Sequence, residues 1–401
     1  MSDAAYPPFR GRRTTIAEAL AEAGGQVAGR IGKRAGETTL HDESETIAVT
    51  LDSDVNDGDW VTGHLERAQD GTHRLASIVV LAPSRTISPD PHLPEKLPRL
   101  RARAEIVQAG RTFFHENGFL EVETPSRVRC PGLETHLRAF PAGQDRWLIT
   151  SPELHLKRVL AAGAERIVEF ARAFRDDERG PWHRAEFLLV EWYRAFEGLE
   201  AIEADCVALV ETCARAAGRD VTLPFERTTV REALASRTGL DIAVLSARDD
   251  LERAIAARGH TTSHEDSWDD LFFRAWIAEV EPTLGTERPV FVHDYPASQA
   301  ALARTRREAW GEVAERFELY INGVEIANAF HELNDPDEQL RRHEADRAAR
   351  REAGAPVYPL DESFLAALES GMPPASGIAF GLERLAALLL GQEALDAISA
   401  F

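Results

Sequence analysis

RFELYINGVEIANAFHEL, residues 316–333, consists of two alternating runs around Asn322-Gly323. That dipeptide is a strong signal for a two-residue type I′ turn, which needs positive φ at both central positions. The turn sets Ile321 opposite Val324 and Tyr320 opposite Glu325, and strict alternation then sets Glu318 opposite Ala327. Glu318 and Glu325 share one face on a diagonal of about 7–8 Å. Two carboxylates so placed repel unless something positive lies between them, and Mg²⁺ carrying substrate phosphates meets that need. Two solvated glutamates on an open sheet face satisfy the same pattern. Asn328 falls on the other face, so its use beside Glu318 requires a bulge.

A second hairpin pattern occupies 166–194, RIVEFARAFRDDERGPWHRAEFLLVEWYR, with the polar loop DDERGPWHR between its runs. Alternation places Phe187, Leu189, Glu191 and Tyr193 on one face, and Ala171, Ala173 and Arg175 on one face of the other run. If those faces coincide, the alanines leave room for a ligand. Phe187 then offers a flat ring, Arg175 a cation at the rim, and Glu191 and Tyr193 polar ends. Alternation alone is better satisfied by an ordinary half-buried hairpin with a charged loop. A third element is SGIAFGLERLAALLL, 376–390. Gly377 and Gly381 allow close backbone approach, and the apolar run after them reads as a helix. Arg384 falls in its first turn, where the helix dipole disfavours a cation, so it either points outward or serves an anionic ligand.

The 401 residues carry a formal net charge of −21, which excludes a general nucleic-acid binder because phosphate backbones attract Lys and Arg. Cys130, Cys206 and Cys213 have no metal-ligand spacing and read as reduced structural thiols. No apolar run approaches the ~20 residues needed to cross a bilayer, and MSDAAYPPFRGRR has no apolar core of a secretory signal, so a cytoplasmic location follows. Residues 1–13 read as a solvated arm containing Arg10, Arg12 and Arg13, and Thr14 as the cap of a short helix to Ala23. Short β-rich segments with turn clusters at 56–59 and 69–71 predict a small OB-like barrel over 24–84. The prolines of SRTISPDPHLPEKLP predict a stiff linker over 85–98. A mixed region, 99–401, follows, opening with a helix from about Leu97 to Asn117 that ends at Gly118. The charged run 341–354 reads as a solvated helix face.

Together these elements resemble the motifs of class II aminoacyl-tRNA synthetases. FFHENGFLEVETP, 113–125, is similar to motif 1, FRDDERGPWHRAEF, 174–187, to motif 2, and GIAFGLER, 377–384, to motif 3. TSPELHLKR, 150–158, and the stretch 316–333 resemble the lysine, aspartate and asparagine subclass, and within it the lysine type. VFVHDYPASQAALA, 290–303, and GMPPASGIAFGLERL, 371–385, look closer still to the family of elongation factor P–(R)-β-lysine ligases. The resemblance covers about 89–401 and implies an α+β fold: a class II catalytic domain, an antiparallel sheet flanked by helices, preceded by the OB-like barrel.

The resemblance also implies roles. Arg175 and Arg384 are the catalytic cations. Arg175 grips the α-phosphate of ATP, His183 lies near the γ-phosphate, and Phe187 stacks on adenine with Arg384 on its other side. Glu318 and Glu325 correspond to Mg²⁺ ligands, with Asn328 beside them. Ser151, Glu153, Glu191, Tyr193, Glu325, Asn328, Glu332 and Ala379 correspond to positions around a lysine-like amino acid. Ser151 and Ala379 match positions where the ligases differ from lysyl-tRNA synthetases, which tend to have alanine and glycine there. Asp177 replaces the usual glutamate of the ATP site and Arg184 the usual asparagine, departures that touch adenine recognition. Relatives pair as homodimers through motif 1, which is implied here too.

In the implied reaction the substrate carboxylate, already a nucleophile, needs alignment and charge stabilisation to attack the α-phosphate. Glu153, Glu191 and Glu332 suit a diamine, since two desolvated ammonium groups need partners. The implied acceptor is a lysine side chain of elongation factor P. Transfer to tRNA is disfavoured: span 24–84 has five Lys and Arg against ten Asp and Glu, and Trp60 is its only aromatic, whereas RNA-reading barrels need a basic groove and stacking rings. A lysyl-tRNA synthetase, favoured by the barrel, is one alternative. A non-catalytic paralogue that binds a partner is the other, and the presence of Arg175, His183, Glu318, Glu325 and Arg384 opposes it.

Overall fold

A computed structural model describes residues 14–85 and 93–401, apart from Ala23, Ala35, Asp177 and Thr222. The arginines of the N-terminal arm and residues 86–92 of the proline-rich stretch lie outside that range. The chain divides into two units, one running to Glu105 and including Asp396–Phe401, the other Ile106–Leu395. Where proline content predicts a linker through Pro98, a helix already begins, Leu93–Glu116. Pro94 falls in its first turn, where backbone N–H groups have no intrahelical partner, and Pro98 removes one further bond. Gly118, at φ 75°, follows the helix end.

In the first unit the short helix Ile16–Ala21 is capped by Thr15 rather than Thr14, because Thr15 forms a reciprocal capping box with Glu18. Six strands among the described residues form one sheet in the order Thr46–Ala48, Glu37–His41, Gly24–Arg34, Trp60–Arg67, His73–Ala82, Thr50–Leu51. The two end strands are one residue apart in sequence, so the sheet has to curl back on itself, as an OB-like barrel does. Val27, Ile31, Leu40, Val61, Leu65 and Leu75 fill its interior, while Trp60 is 44% exposed.

The second unit is built on a sheet of nine strands among the described residues. Their order is Glu226–Thr229, Val290–Pro296, Gly311–Ile321, Val324–His331, Ala375–Phe380, Glu186–Ala195, Arg166–Phe174, Leu120–Glu121, with Thr305–Glu308 beside Gly311–Ile321. The two outermost pairs are parallel and the rest antiparallel. Alternation gives the sheet two jobs. On one face Trp192 lies 5.1 Å from Phe114 and 5.7 Å from Phe380, ring to ring. A Cβ at Gly110 would touch Leu209, Leu382 and Phe170, so the helices Leu93–Glu116, Leu199–Ala216 and Leu382–Leu389 converge there. The other face carries Ala171, Ala173, Phe187, Glu191 and Tyr193, and with them the cavity described below.

One helix departs from a simple polar exterior. In the helix Pro336–Glu352 the charged run is not merely a solvated face, since Gln339, His343 and Arg350 are buried. The Arg350 guanidinium donates to the carbonyls of Pro356 (2.8 Å), Leu137 (3.0 Å) and Glu134 (2.5 Å) and lies over the Tyr358 ring. A planar fork of donors can enter a core when carbonyls meet it, and a charge pattern alone cannot reveal that. All three cysteines are free and buried. No described helix is long and apolar enough to cross a membrane.

The hairpin that carries the cavity is tied to the helix Leu199–Ala216 by a buried ion pair. Arg194 donates to Asp205 through Nε (2.6 Å) and Nη2 (2.7 Å), and Trp192 Nε1 donates to the same carboxylate (3.1 Å). Asp205→Ala would strand Trp192 Nε1 in the interior and leave Arg194 with only the Glu197 carboxylate, at 3.1 Å from its Nη1. The expected loss is about 3–5 kcal/mol, read as a lowered urea midpoint of the second unit. A loss under about 1 kcal/mol would show that the pair is dispensable.

Candidate active site

The turn at Asn322-Gly323 has φ of 53° and 73°, and pairs Ile321 with Val324 and Tyr320 with Glu325. Beyond it the register shifts. Leu319 stands opposite Ala327 and Glu318 opposite Asn328, which corrects the strict-alternation pairing of Glu318 with Ala327. The extra residue is Ile326, and the bulge it makes turns Asn328 onto the face of Glu318. The Ile326 carbonyl accepts from Gly381 N at 2.7 Å, so the bulge is fixed to the glycine that precedes Arg384.

Neighbouring strands extend this face into a row. Asn328 is opposite Ala379, and Ala379 is opposite Glu191. The row Glu191–Ala379–Asn328–Glu318 crosses three strand spacings, roughly 14 Å. Ala171 and Ala173 sit opposite Leu189 and Phe187, so the two faces of the 166–195 hairpin do coincide. A cavity of about 580 Å³ lies against the second strand of that hairpin, at Phe187, Leu189, Glu191 and Tyr193, and Ala171 and Ala173 are not among its lining residues. It is lined by Ser151, Glu153, Arg175, His183, Arg184, Phe187, Glu191, Tyr193, Glu318, Glu325, Asn328, Glu332, Ala379 and Arg384. Asp177 lies outside the described residues.

At the Glu191 end, Ser151 Oγ donates to Glu191 Oε1 (2.6 Å) and the Tyr193 hydroxyl to Oε2 (3.3 Å). Burial, and then Glu153 nearby, push the Glu191 carboxyl well above its ordinary range. A Cβ at Gly377 would stand 2.2 Å from the Tyr193 ring and 2.6 Å from Glu332 Oε1, so only glycine fits. Lys157 also reaches this end: it has no exposed surface, and its Nζ is 2.7 Å from Glu153 Oε1 and 2.5 Å from Glu332 Oε2. Burial works against its ammonium, yet the two carboxylates outweigh burial and raise its pKa. Sequence reasoning missed it. The available signal was its place four residues after Glu153, on a helix whose neighbours Leu154, Leu156 and Leu160 are apolar. Two of the three carboxylates expected to serve a diamine therefore already share an internal cation.

At the other end, Arg175 Nε donates to Thr150 O (3.5 Å) and its guanidinium lies 5.1 Å from the Phe187 ring centre. Arg384 points inward, donating to Trp182 O (3.1 Å) and Glu325 O (2.8 Å), with the Glu325 carboxylate 3.5 Å away. Burial and then the Arg384 charge lower the pKa of His183, so its imidazole is neutral near pH 7. Glu318 Oε2 accepts from the hydroxyls of Tyr295 (2.5 Å) and Tyr320 (2.6 Å), and Oε1 from Arg316 Nη2. Arg316 Nε donates to Asn328 Oδ1 at 2.9 Å. Arg316 was legible by alternation, two residues before Glu318 on the same face.

These carboxylates crowd one another. Burial and then Glu318 raise the Glu325 carboxyl, and burial followed by Glu325 pushes Glu281 up to about 7. Among the described residues no group of three or more His, Cys, Asp or Glu forms a metal cage. Mg²⁺ does not require one, because it is commonly held by one or two carboxylates together with substrate phosphates. Glu325 fits that mode, while Glu318 already has three donors.

The chain matches the family described as tRNA synthetases class II (D, K and N) over residues 92–401. It is 40% identical over 314 residues to the elongation factor P–(R)-β-lysine ligase of Edwardsiella ictaluri, covering 75% of this chain and 94% of that protein. It is 38% identical over 314 residues to the enzyme of the same name from Vibrio cholerae, covering 76% and 94%.

Two outcomes follow from this geometry. Gly377→Ala should weaken binding of a diamino acid at least about tenfold in calorimetry while nucleotide affinity holds, because the clash is with Tyr193 and Glu332; equal affinity for the amino acid would contradict the packing. Glu281 supplies the second. Its folded pKa is raised, so its stabilising contribution is whole below the unfolded value near 4.5 and is lost as pH rises through about 7. From about pH 5 to about pH 8 the melting temperature of ligand-free protein should fall more for the wild type than for Glu281→Gln. Parallel curves would refute the raised pKa.

Proposed function

The chain belongs to the class II tRNA synthetases of the D, K and N type and, within them, to the elongation factor P–(R)-β-lysine ligase family, and from that premise we propose that it activates lysine or (R)-β-lysine as its adenylate and transfers it to a lysine side chain of elongation factor P. It is an ATP-dependent ligase of the synthetase type. The observation that supports the substrate reading is the row from Glu191 to Glu318: acids with a buried lysine at one end, and Arg175, Arg384 and Arg316 at the other.

In the proposed first step the amino-acid carboxylate attacks the α-phosphorus of ATP, pyrophosphate leaves, and an aminoacyl-adenylate remains. Arg175 and Arg384 neutralise charge that grows on the phosphates, in a cleft where a preset cation costs no reorganisation. Mg²⁺, held through Glu325 and the phosphates, would add a second source of charge neutralisation. Neutral His183 can donate one hydrogen bond to a terminal phosphate. In the second step an uncharged lysine amine of the acceptor attacks the carbonyl carbon, AMP leaves, and an amide forms. A free lysine has a pKa near ~10.4 and has to lose a proton first; the adenylate phosphate can take it.

The proposal also places the enzyme in the cytoplasm as a homodimer paired through 113–125, with the OB-like barrel over 24–84 as a separate domain before a catalytic domain over 99–401. The barrel is the one feature that favours tRNA as acceptor, and its acidity opposes that reading.

Amino-acid-dependent pyrophosphate exchange with lysine and (R)-β-lysine tests activation, and label transfer to elongation factor P or to tRNA tests the acceptor. Exchange followed by label on elongation factor P is expected. Efficient charging of tRNA would make the chain a lysyl-tRNA synthetase, and silence in every exchange reaction would make it a non-catalytic paralogue. Arg175→Ala should lower kcat for exchange by about 10²–10³.

A further inference from the structure

The amino-acid end of the cavity contains a further carboxylate, Glu134. Glu134 lines the cavity, and its Oε2 is buried without a hydrogen-bond partner among the described residues. The neighbouring acids are provided for. Glu153 and Glu332 share Lys157, and Glu191 takes Ser151 and Tyr193. Burial, and then the Glu153 charge, raise the Glu134 carboxyl above its ordinary range. A buried acceptor left without a donor is costly, and a cationic ligand removes that cost.

The position of Glu134 along the cavity is fixed by its neighbours. A Cβ at Gly132 would stand 2.6 Å from Glu134 Oε2 and 2.8 Å from Thr150 Oγ1, so the carboxylate lies beside Thr150. The Thr150 carbonyl accepts from Arg175, and Ser151 follows it in the chain. Glu134 is thus at the Arg175 end of the amino-acid subsite. Tyr193 and Glu332, which converge on Gly377, mark the opposite end. The loop bearing Glu134 is held from behind by Arg350, which donates to the carbonyls of Glu134 (2.5 Å), Leu137 (3.0 Å) and Thr135 (3.3 Å).

Resting on the reading of the site as one for a lysine-like diamine, we propose that Glu134 binds the ammonium group nearer the reacting carboxylate, with Arg350 as the positioning residue that holds its loop. The substrate's carboxylate faces Arg175. Its near ammonium, on the α carbon of lysine or the β carbon of β-lysine, meets Glu134, and its terminal ammonium meets Glu191 and Tyr193. Glu134 thereby selects against amino acids that lack the near amine.

Calorimetric binding by the full-length protein, with the wild type beside Glu134→Gln, tests this against three probes: (R)-β-lysine or lysine, 6-aminohexanoate without the near amine, and norleucine without the terminal amine. The wild type should prefer the diamine to 6-aminohexanoate by about tenfold or more, as a charge-assisted contact would give. Glu134→Gln should bring those two affinities together while keeping the preference over norleucine. A variant that retains the full preference for the diamine overturns the inference, as does one that weakens all three probes equally, since that is a structural effect. Failure of the wild type to bind any diamine overturns the functional reading together with the inference.

Discussion

Carboxylates brought together in a water-poor cleft must each meet a cation or a donor, and the catalytic unit is organised around that requirement. Glu318 receives two tyrosine hydroxyls and Arg316. Glu153 and Glu332 share Lys157. Glu191 takes a serine and a tyrosine, and Glu325 lies against Arg384. The partners come from separate strands, a helix and a loop. The contacts that make the cleft chemically competent are therefore the same ones that hold its walls in place, and loss of one partner leaves a buried charge that costs several kcal/mol, about 3–5 for a well-buried pair.

One backbone irregularity decides where the acids point. Without the bulge at Ile326, Asn328 would face away from Glu318 and the row to Glu191 would be broken at its centre. The bulged residue does not waste its carbonyl, which accepts from Gly381 N. Gly381 in turn begins the helix that carries Arg384, whose guanidinium returns to the Glu325 carbonyl. Hairpin, bulge and helix are closed into a circuit by one backbone bond, Gly381 N to Ile326 O, and one side-chain bond, Arg384 to Glu325 O, which explains how a cation can stay in the first turn of a helix against the dipole. Local carbonyls and the Glu325 carboxylate supply the negative potential there.

The hairpins were legible because their signals are local. Asn322-Gly323 fixes a turn chemically, and alternation fixes which residues share a face. The OB-like barrel was legible for the same reason, through short strands and turn clusters. What lay hidden was non-local. No pattern within 319–328 requires the bulge at Ile326, since its energetic reason is Gly381, far along the chain. Lys157 and Arg350 resemble ordinary charged residues of helix surfaces, and their burial depends on Glu332 and on the carbonyls of 134–137. Glu134 shared that obscurity, lying in a loop with neither period nor motif. Thr15 took the cap from Thr14 by a single residue, the usual scale of error for helix ends.

The placement of Ser151 and Ala379 gives their difference from the synthetase pattern a physical content. Ser151 spends its hydroxyl on Glu191, so with alanine there that carboxylate would keep only the longer Tyr193 bond and a freer orientation. Ala379 lies between Glu191 and Asn328 in the cross-strand row, and its methyl occupies floor that a glycine would leave open. An amine moved by one carbon along a substrate is a change of about the size of that methyl. Discrimination between such isomers by a single methyl is worth only about 1–3 kcal/mol. On the proposed reading of the site the floor alone would set only a modest preference, and a larger one would have to come from the charged groups that meet the amine itself.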